Sequence, residues 1–226
     1  MRWGLNALKQ IIIKFLFMLE RLAYLLKHRL PRLSRGVEWA ARMATVLRFG
    51  KAIDTAQENA KLIGTVKGQP AEMRVLRTVD TPLLQAFVEK LPSDWFEHFR
   101  PHPFDHQGLK AVLKSKAFMN YGLVIDQKLA GYVLLKVAPT GTGFIGLLVH
   151  PDYRGLGLGK FLVAFLYWQA SLAGLRVRST ISRHNPASLR SHQAVADFRI
   201  VADLPNDYIM IEFPCDAREK PELRTS

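Results

Sequence analysis

Val149-His150-Pro151-Asp152-Tyr153-Arg154-Gly155-Leu156-Gly157-Leu158-Gly159-Lys160 joins an apolar run, Phe144 to Val149, to a longer one, Phe161 to Leu172. The first run has the length of a strand and the second that of a helix. Glycines alternate through the joint at positions 155, 157 and 159. Bare backbone N–H groups therefore gather at the positive end of the helix, where a side chain would block the close approach of an anion. The stretch reads as a phosphate cradle, with a mere tight turn as the bland alternative. It is not a nucleotide P-loop, which needs four residues between Gly and Gly-Lys and then Ser or Thr, because Phe161 follows Lys160; nor does its spacing fit the dinucleotide fingerprint.

Upstream, Met73 to Val79 reads as a strand, and Asp80-Thr81 caps a short helix through Leu91 with Pro82 in its first turn. Pro92 to Asp105 is rich in aromatic residues, Pro and His, and Gly108 to Lys116 is helical. Tyr121 to Ile125 and Leu129 to Val137 flank Asp126-Gln127-Lys128 as a hairpin, and Pro139 to Gly143 turns the chain into Phe144 to Val149. Downstream come a strand at Leu175 to Ile181, a helix opened by Asn185-Pro186-Ala187-Ser188, and closing strands at Phe198 to Val201 and Tyr208 to Phe213.

The loop and the order of elements around it resemble the GNAT superfamily of acyl-CoA N-acyltransferases, whose coenzyme A loop follows Arg/Gln-x-x-Gly-x-Gly/Ala. Arg154, Gly157 and Gly159 match that pattern. The resemblance covers residues 72 to 214 and implies an α/β fold with a mixed, mostly antiparallel sheet flanked by helices. It also implies an N-acetyltransferase with acetyl-CoA as co-substrate and no metal. The amides from Gly155 through Leu156, Gly157, Leu158 and Gly159 to Lys160 would hold the pyrophosphate, with Arg154 and Lys160 adding charge. Leu147, Leu148 and Val149 would receive the pantetheine arm as an added strand, through backbone bonds. Asn185 and Ser188 complete the expected binding set.

In this family a Tyr seven positions after the Asn often serves as the acid at the sulfur; seven after Asn185 is His192. Counting back from the closing Gly-Phe of the family, here Asp197-Phe198, lands instead on Gln193, so both registers stay open. The amine must be neutral to attack; an α-amino group with a pKa of about 8 is about one tenth neutral at pH 7, so a weakly basic acceptor leaves little for a base to do. His150 is a candidate in a water-relayed base, and His184 shapes the loop beside Asn185. His98, His102 and His106, with Phe99, Arg100 and Phe104, fall where the family binds its acceptor, and no Cys or carboxylate pattern makes the three histidines a metal site. The expected acceptor is a small-molecule amine or an amino sugar, with a protein amine as an open alternative, because acceptor loops diverge within the family. A CoA-binding scaffold without turnover, a longer acyl chain and a hydroxyl acceptor are the rival readings.

The chain has 226 residues, 49% of them hydrophobic and 23% charged, which excludes a mainly disordered protein. No run reaches the roughly 18 apolar residues of a membrane span. Cys215 stands alone, so no internal disulfide forms, and the cytoplasm is the expected compartment. It precedes a short C-terminal tail, residues 215–226, and is not read as a nucleophile.

The net charge of +13 is uneven: residues 1–70 hold 13 Lys+Arg and 4 Asp+Glu, a net +9 that leaves +4 for the rest. This basic extension and linker precede the acyltransferase domain, residues 71–214. Between Trp3 and Lys27 the polar residues occupy a helical arc of roughly 140°, opposite Leu8, Ile11, Phe15, Leu19 and Leu22. Pro31 ends that amphipathic helix, Ser34 caps a second, and Val37, Trp39, Ala40, Met43 and Leu47 continue at helical spacing until Gly50. Three occupants compete for residues 1–50. One is the domain itself or a second copy in a homo-oligomer; another is an anionic membrane surface at which the protein is peripheral; the third, an organellar presequence, has the weakest pattern. Nucleic acid is not an expected partner, since no recognition module accompanies the charge.

Overall fold

The computed structural model describes residues 31–97, 99 and 101–225. The amphipathic pattern of residues 3–27, and His98 and Arg100 of the acceptor segment, lie outside the described residues.

The elements are α1 (Pro31–Glu58), β1 (Leu62–Val66), β2 (Gln69–Val75), α2 (Thr81–Val88), α3 (His106–Lys114), β3 (Phe118–Ile125), β4 (Lys128–Val137), β5 (Thr142–Val149), α4 (Leu158–Leu172), β6 (Arg176–Ser182), α5 (Pro186–Gln193), β7 (Arg199–Leu204), β8 (Tyr208–Glu212) and β9 (Arg224–Thr225). The strands make one sheet in the order β7-β8-β6-β5-β4-β3-β2-β1-β9. Among the described residues only β5–β6 and β1–β9 pair in parallel. This is the mixed, mostly antiparallel sheet that the sequence implies.

Two cores sandwich it. On one face Phe161, Leu162, Phe165 and Leu166 of α4 and Ile53 and Ala56 of α1 pack on Tyr121, Val133 and Val177. On the other, Leu84 and Phe87 of α2 and Leu109 and Val112 of α3 pack on Tyr132, Leu134 and Leu148. The β3–β4 hairpin turns where expected, with Asp126 and Gln127 at φ 48 and 57, the left-handed pair that a two-residue turn requires.

Boundaries differ from expectation at several elements: α1 begins at Pro31, so Ser34 lies in its first turn rather than capping it; β2 spans Gln69–Val75 rather than Met73 to Val79; and α2 ends at Val88 rather than Leu91. Three further differences concern the extent of α1 and of the sheet. Helix α1 runs through Gly50 to Glu58; a glycine costs a helix about 1 kcal/mol, and the burial of Ile53 and Ala56 one turn on outweighs it. The sheet begins at Leu62, inside the segment read as linker, because Lys67 and Gly68, both at positive φ, turn β1 back on β2. The segment read as a tail continues into the sheet. Leu223 is buried, its carbonyl accepts from the Thr65 N–H at 3.1 Å, and the strand β9 that follows lies along β1. A Cβ at Gly64 would come within 1.8 Å of that carbonyl, so β1 needs glycine there.

Candidate active site

Strands β5 and β6 pair only over Thr142–Phe144 and Arg176–Arg178. Beyond that point β5 stays on β4 and β6 stays on β8, and a cleft of about 710 Å³ opens between them. Its walls are Ile145 to Val149, Ser179 to Ser182 and Tyr208; Trp95 and Phe99 lie on it too, and its end is the glycine loop with α5.

The backbone of β5 presents an unpaired edge there. His150 N–H donates to the Ala130 carbonyl at 2.8 Å. In an antiparallel ladder the bonding residues alternate, so Leu148 and Gly146 likewise turn to β4, and Ile145, Leu147 and Val149 turn their N–H and C=O groups to the cleft. Leu147 and Val149 thus stand where an extended ligand could bond, whereas Leu148 contributes a side chain buried in the second core.

The loop residues divide by physical role. Gly155 and Gly157 have φ of 75 and 72, and a Cβ on either would meet open space. Gly157 is the N-cap of α4, and the first bond inside the helix is Phe161 N–H to the Gly157 carbonyl at 3.2 Å. The amides of Leu158, Gly159 and Lys160 are therefore the orphan donors of the first turn, the arrangement that suits a phosphate. Gly159 serves a different end, since a Cβ there would sit 2.5 Å from Ser191 Oγ; it lets α4 and α5 approach. Leu156 and Leu158 point into the main core, and Lys160 is exposed at the mouth. The Arg154 guanidinium lies 4.2 Å over the Trp95 ring, which bridges the loop to the aromatic segment.

Asn185 and Ser188 both line the cleft, and the Asn185 side chain accepts from the Ser188 N–H at 3.0 Å. That carboxamide oxygen is engaged in capping α5. His192 also lines the cleft and is 1% exposed. Its Nδ1 is 2.8 Å from the Ser188 carbonyl, which requires Nδ1–H to donate and leaves the lone pair on Nε2. That Nε2 is buried with no hydrogen-bond partner. Burial pushes the ring's pKa below 6.5, against a smaller upward pull from the Ser188 bond. Its ring lies against Phe213 at 12°. Gln193, the alternative register, is exposed and does not line the cleft.

The other described histidines are engaged elsewhere. His150 Nδ1 accepts from the Asp152 N–H at 3.3 Å, and His184 Nε2 lies 3.2 Å from Asp207 Oδ2 in solvent. His102 is bonded to the Tyr132 hydroxyl at 3.0 Å and His106 to Gln85 at 2.9 Å, so these two do not converge on one point. Phe99 meets the cleft directly: a Cβ at Gly146 would come 2.7 Å from its ring. Trp95, Ser179 to Ser182, Arg190 and Tyr208 also line the cleft and carry no motif; for Ser179 to Ser182 and Tyr208 only a strand pairing that stops short identifies them. Among the described residues no helix is long and apolar enough to cross a membrane.

The acetyltransferase (GNAT) family model matches residues 84–198. No curated protein matches the sequence. Solved structures share the fold at low identity. The GNAT domain of S. lividans PAT superposes with a TM-score of 0.61 at 13% identity, covering 69% of this chain and 97% of that one. A ribosomal-protein-S5-alanine acetyltransferase from Vibrio fischeri gives 0.56 at 15%, covering 70% and 100%. The PaiA N-acetyltransferase from Thermoplasma acidophilum, solved in complex with coenzyme A, gives 0.52 at 16%, covering 63% and 98%.

Proposed function

Because the chain belongs to the GNAT acetyltransferase family, we propose that it moves an acetyl group from acetyl-CoA to an amine bound in the same cleft, by direct attack without a covalent enzyme intermediate. The observation that carries this reading is the early end of the β5–β6 pairing, which leaves the amides of Leu147 and Val149 facing a cleft that ends in the orphan amides of α4. The free edge suits the pantetheine arm and the helix end suits the pyrophosphate. Arg154 and Lys160 supply positive charge at the mouth.

Chemically, the amine nitrogen adds to the thioester carbon, the carbonyl oxygen gains the electron pair, and collapse breaks the C–S bond. Amides on the cleft edge of β5 are the available donors for that oxygen, and one preorganised donor contributes about 3 kcal/mol. One proton must travel from nitrogen to sulfur. His192 is suited to carry it, because Nε2 is unprotonated and unpartnered in the resting protein: it accepts from the attached amine and then acts as the acid toward the thiolate. The acceptor is a small-molecule amine or an amino sugar, entering past Trp95 and Phe99.

The test is incubation with acetyl-CoA and a panel of amines, reading acetylated product by mass and free CoA thiol by colour. Equal amounts of both support transfer. Thiol release without acetylated amine, or tight acetyl-CoA binding with no turnover on any amine, would overturn it.

A further inference from the structure

Among the described residues, helix α1 is held to the domain along one side. Thr45, Ile53 and Ala56 are buried, and Phe49 packs beneath Gly141. On its other side Trp39, Met43 and Leu47, at i, i+4 and i+8, are 66%, 43% and 83% exposed. Ala40 and Ala44 lie next to this stripe on the helical wheel, so its flank is low and another backbone can come close. Such a run of large apolar side chains marks a contact surface.

We propose that the stripe is covered by the chain's own residues 3–27, folded back as an antiparallel helix. The first argument is the connection. The helical pattern ends at Lys27 and α1 spans Pro31–Glu58, leaving His28-Arg29-Leu30 between them, within the two to five residues of a helical hairpin. The second is register. With the helices joined there, Leu19 comes level with Trp39, Phe15 with Met43 and Ile11 with Leu47. All three partners lie on the apolar side of their helix and repeat at the same four-residue spacing, so ridge meets groove along the whole stripe.

The third argument is charge, which separates this occupant from a lipid surface. Residues 31–58 hold 5 Lys+Arg and 3 Asp+Glu, a net +2, whereas residues 1–30 hold 6 and 1, a net +5. Glu38, Asp54 and Glu58 share the α1 surface with Arg42, Arg48 and Lys51, so an anionic bilayer gains little from this face. For residues 3–27 the gain is apolar contact between the two stripes, and Glu38, Asp54 and Glu58 offset most of the basic charge of α1 that would oppose it.

The test uses the full chain with Cys215→Ser, since that exposed thiol would compete. Leu47→Cys is combined with Ile11→Cys, which the hairpin brings level with it, or with Ile13→Cys, about 200° round the same helix. Retention of the acetyl-CoA melting shift verifies that both proteins are folded. With a short bis-maleimide, the Ile11 pair is expected to give an intramolecular crosslink at about tenfold or more the yield of the Ile13 pair, because docking fixes a millimolar effective concentration. Equal yields would overturn the proposal, as would crosslinking only between two chains, which would assign the stripe to a second copy. Flotation of the wild-type chain with anionic vesicles, lost on Leu47→Glu, would assign it to lipid and overturn it equally.

Discussion

Phe144 and Arg178 are the last residues paired between β5 and β6 before the strands part. Arg178 Nε donates to Glu212 Oε2 at 2.7 Å, and Arg199 bonds the other oxygen of the same carboxylate. The base of the cleft is thus tied to β7 and β8 by one buried carboxylate. Burial alone would raise the pKa of Glu212, but the bonds from Arg199 and Arg178 outweigh it and hold the carboxyl below its ordinary value.

Glu212→Ala leaves Arg178 buried without this partner, a loss of about 3 kcal/mol. For a chain of this size that is a fall in Tm on the order of 10 °C. Thermal unfolding measures it. Since the folded pKa of Glu212 is depressed, its contribution is complete above the unfolded value and is lost as the pH falls through the folded one, so the gap between wild type and variant closes in acid.

The two kinds of glycine in the loop separate experimentally. Gly157→Ala costs about 1–2 kcal/mol through its left-handed backbone whatever surrounds it, and weakens acetyl-CoA binding because the Cβ enters open space beside the orphan amides. Gly159→Ala costs about 1 kcal/mol through Ser191, and Ser191→Ala in the same protein recovers most of it. Melting curves of the four proteins, with and without acetyl-CoA, test both statements.

For His192→Phe, turnover is expected to fall about 10² to 10³-fold while the acetyl-CoA melting shift persists, the size of effect that one proton carrier supplies. Gln193→Ala is expected to keep the wild-type rate. The wild-type rate should decline in acid, at a pH under that of an ordinary imidazole, as Nε2 takes up a proton, and the variant should lack that limb. Stability follows the same sign. A folded pKa below the unfolded one means that the folded protein binds fewer protons, so stability is complete above about 6.5 and falls as the pH drops through the folded value. His102 adds a loss in the same direction.

The loop 154–160 was legible because three alternating glycines before an apolar helix have few explanations, and the β3–β4 turn because Asp126 and Gln127 accept positive φ. Strand β1 was not: Lys67-Gly68 is a turn signal, but Leu62 to Val66 follows a helix and sits in a basic segment with weak alternation. The cleft itself has no local signature. Ser179 to Ser182 and Tyr208 are ordinary strand residues, and they become a wall only because pairing stops at Arg178. That His192 is buried at the cleft while Gln193 is exposed also needed the fold, since one inserted residue shifts a helix by 100° and exchanges buried for exposed.

Residue-resolved amide exchange along β5, with and without acetyl-CoA, tests the central claim most directly. Gly146 and Leu148 should be slow in both states, because their N–H groups already bond β4, while Leu147 and Val149 should exchange quickly alone and slow markedly on adding acetyl-CoA. Unchanged exchange at Leu147 and Val149 under saturating acetyl-CoA would contradict the account.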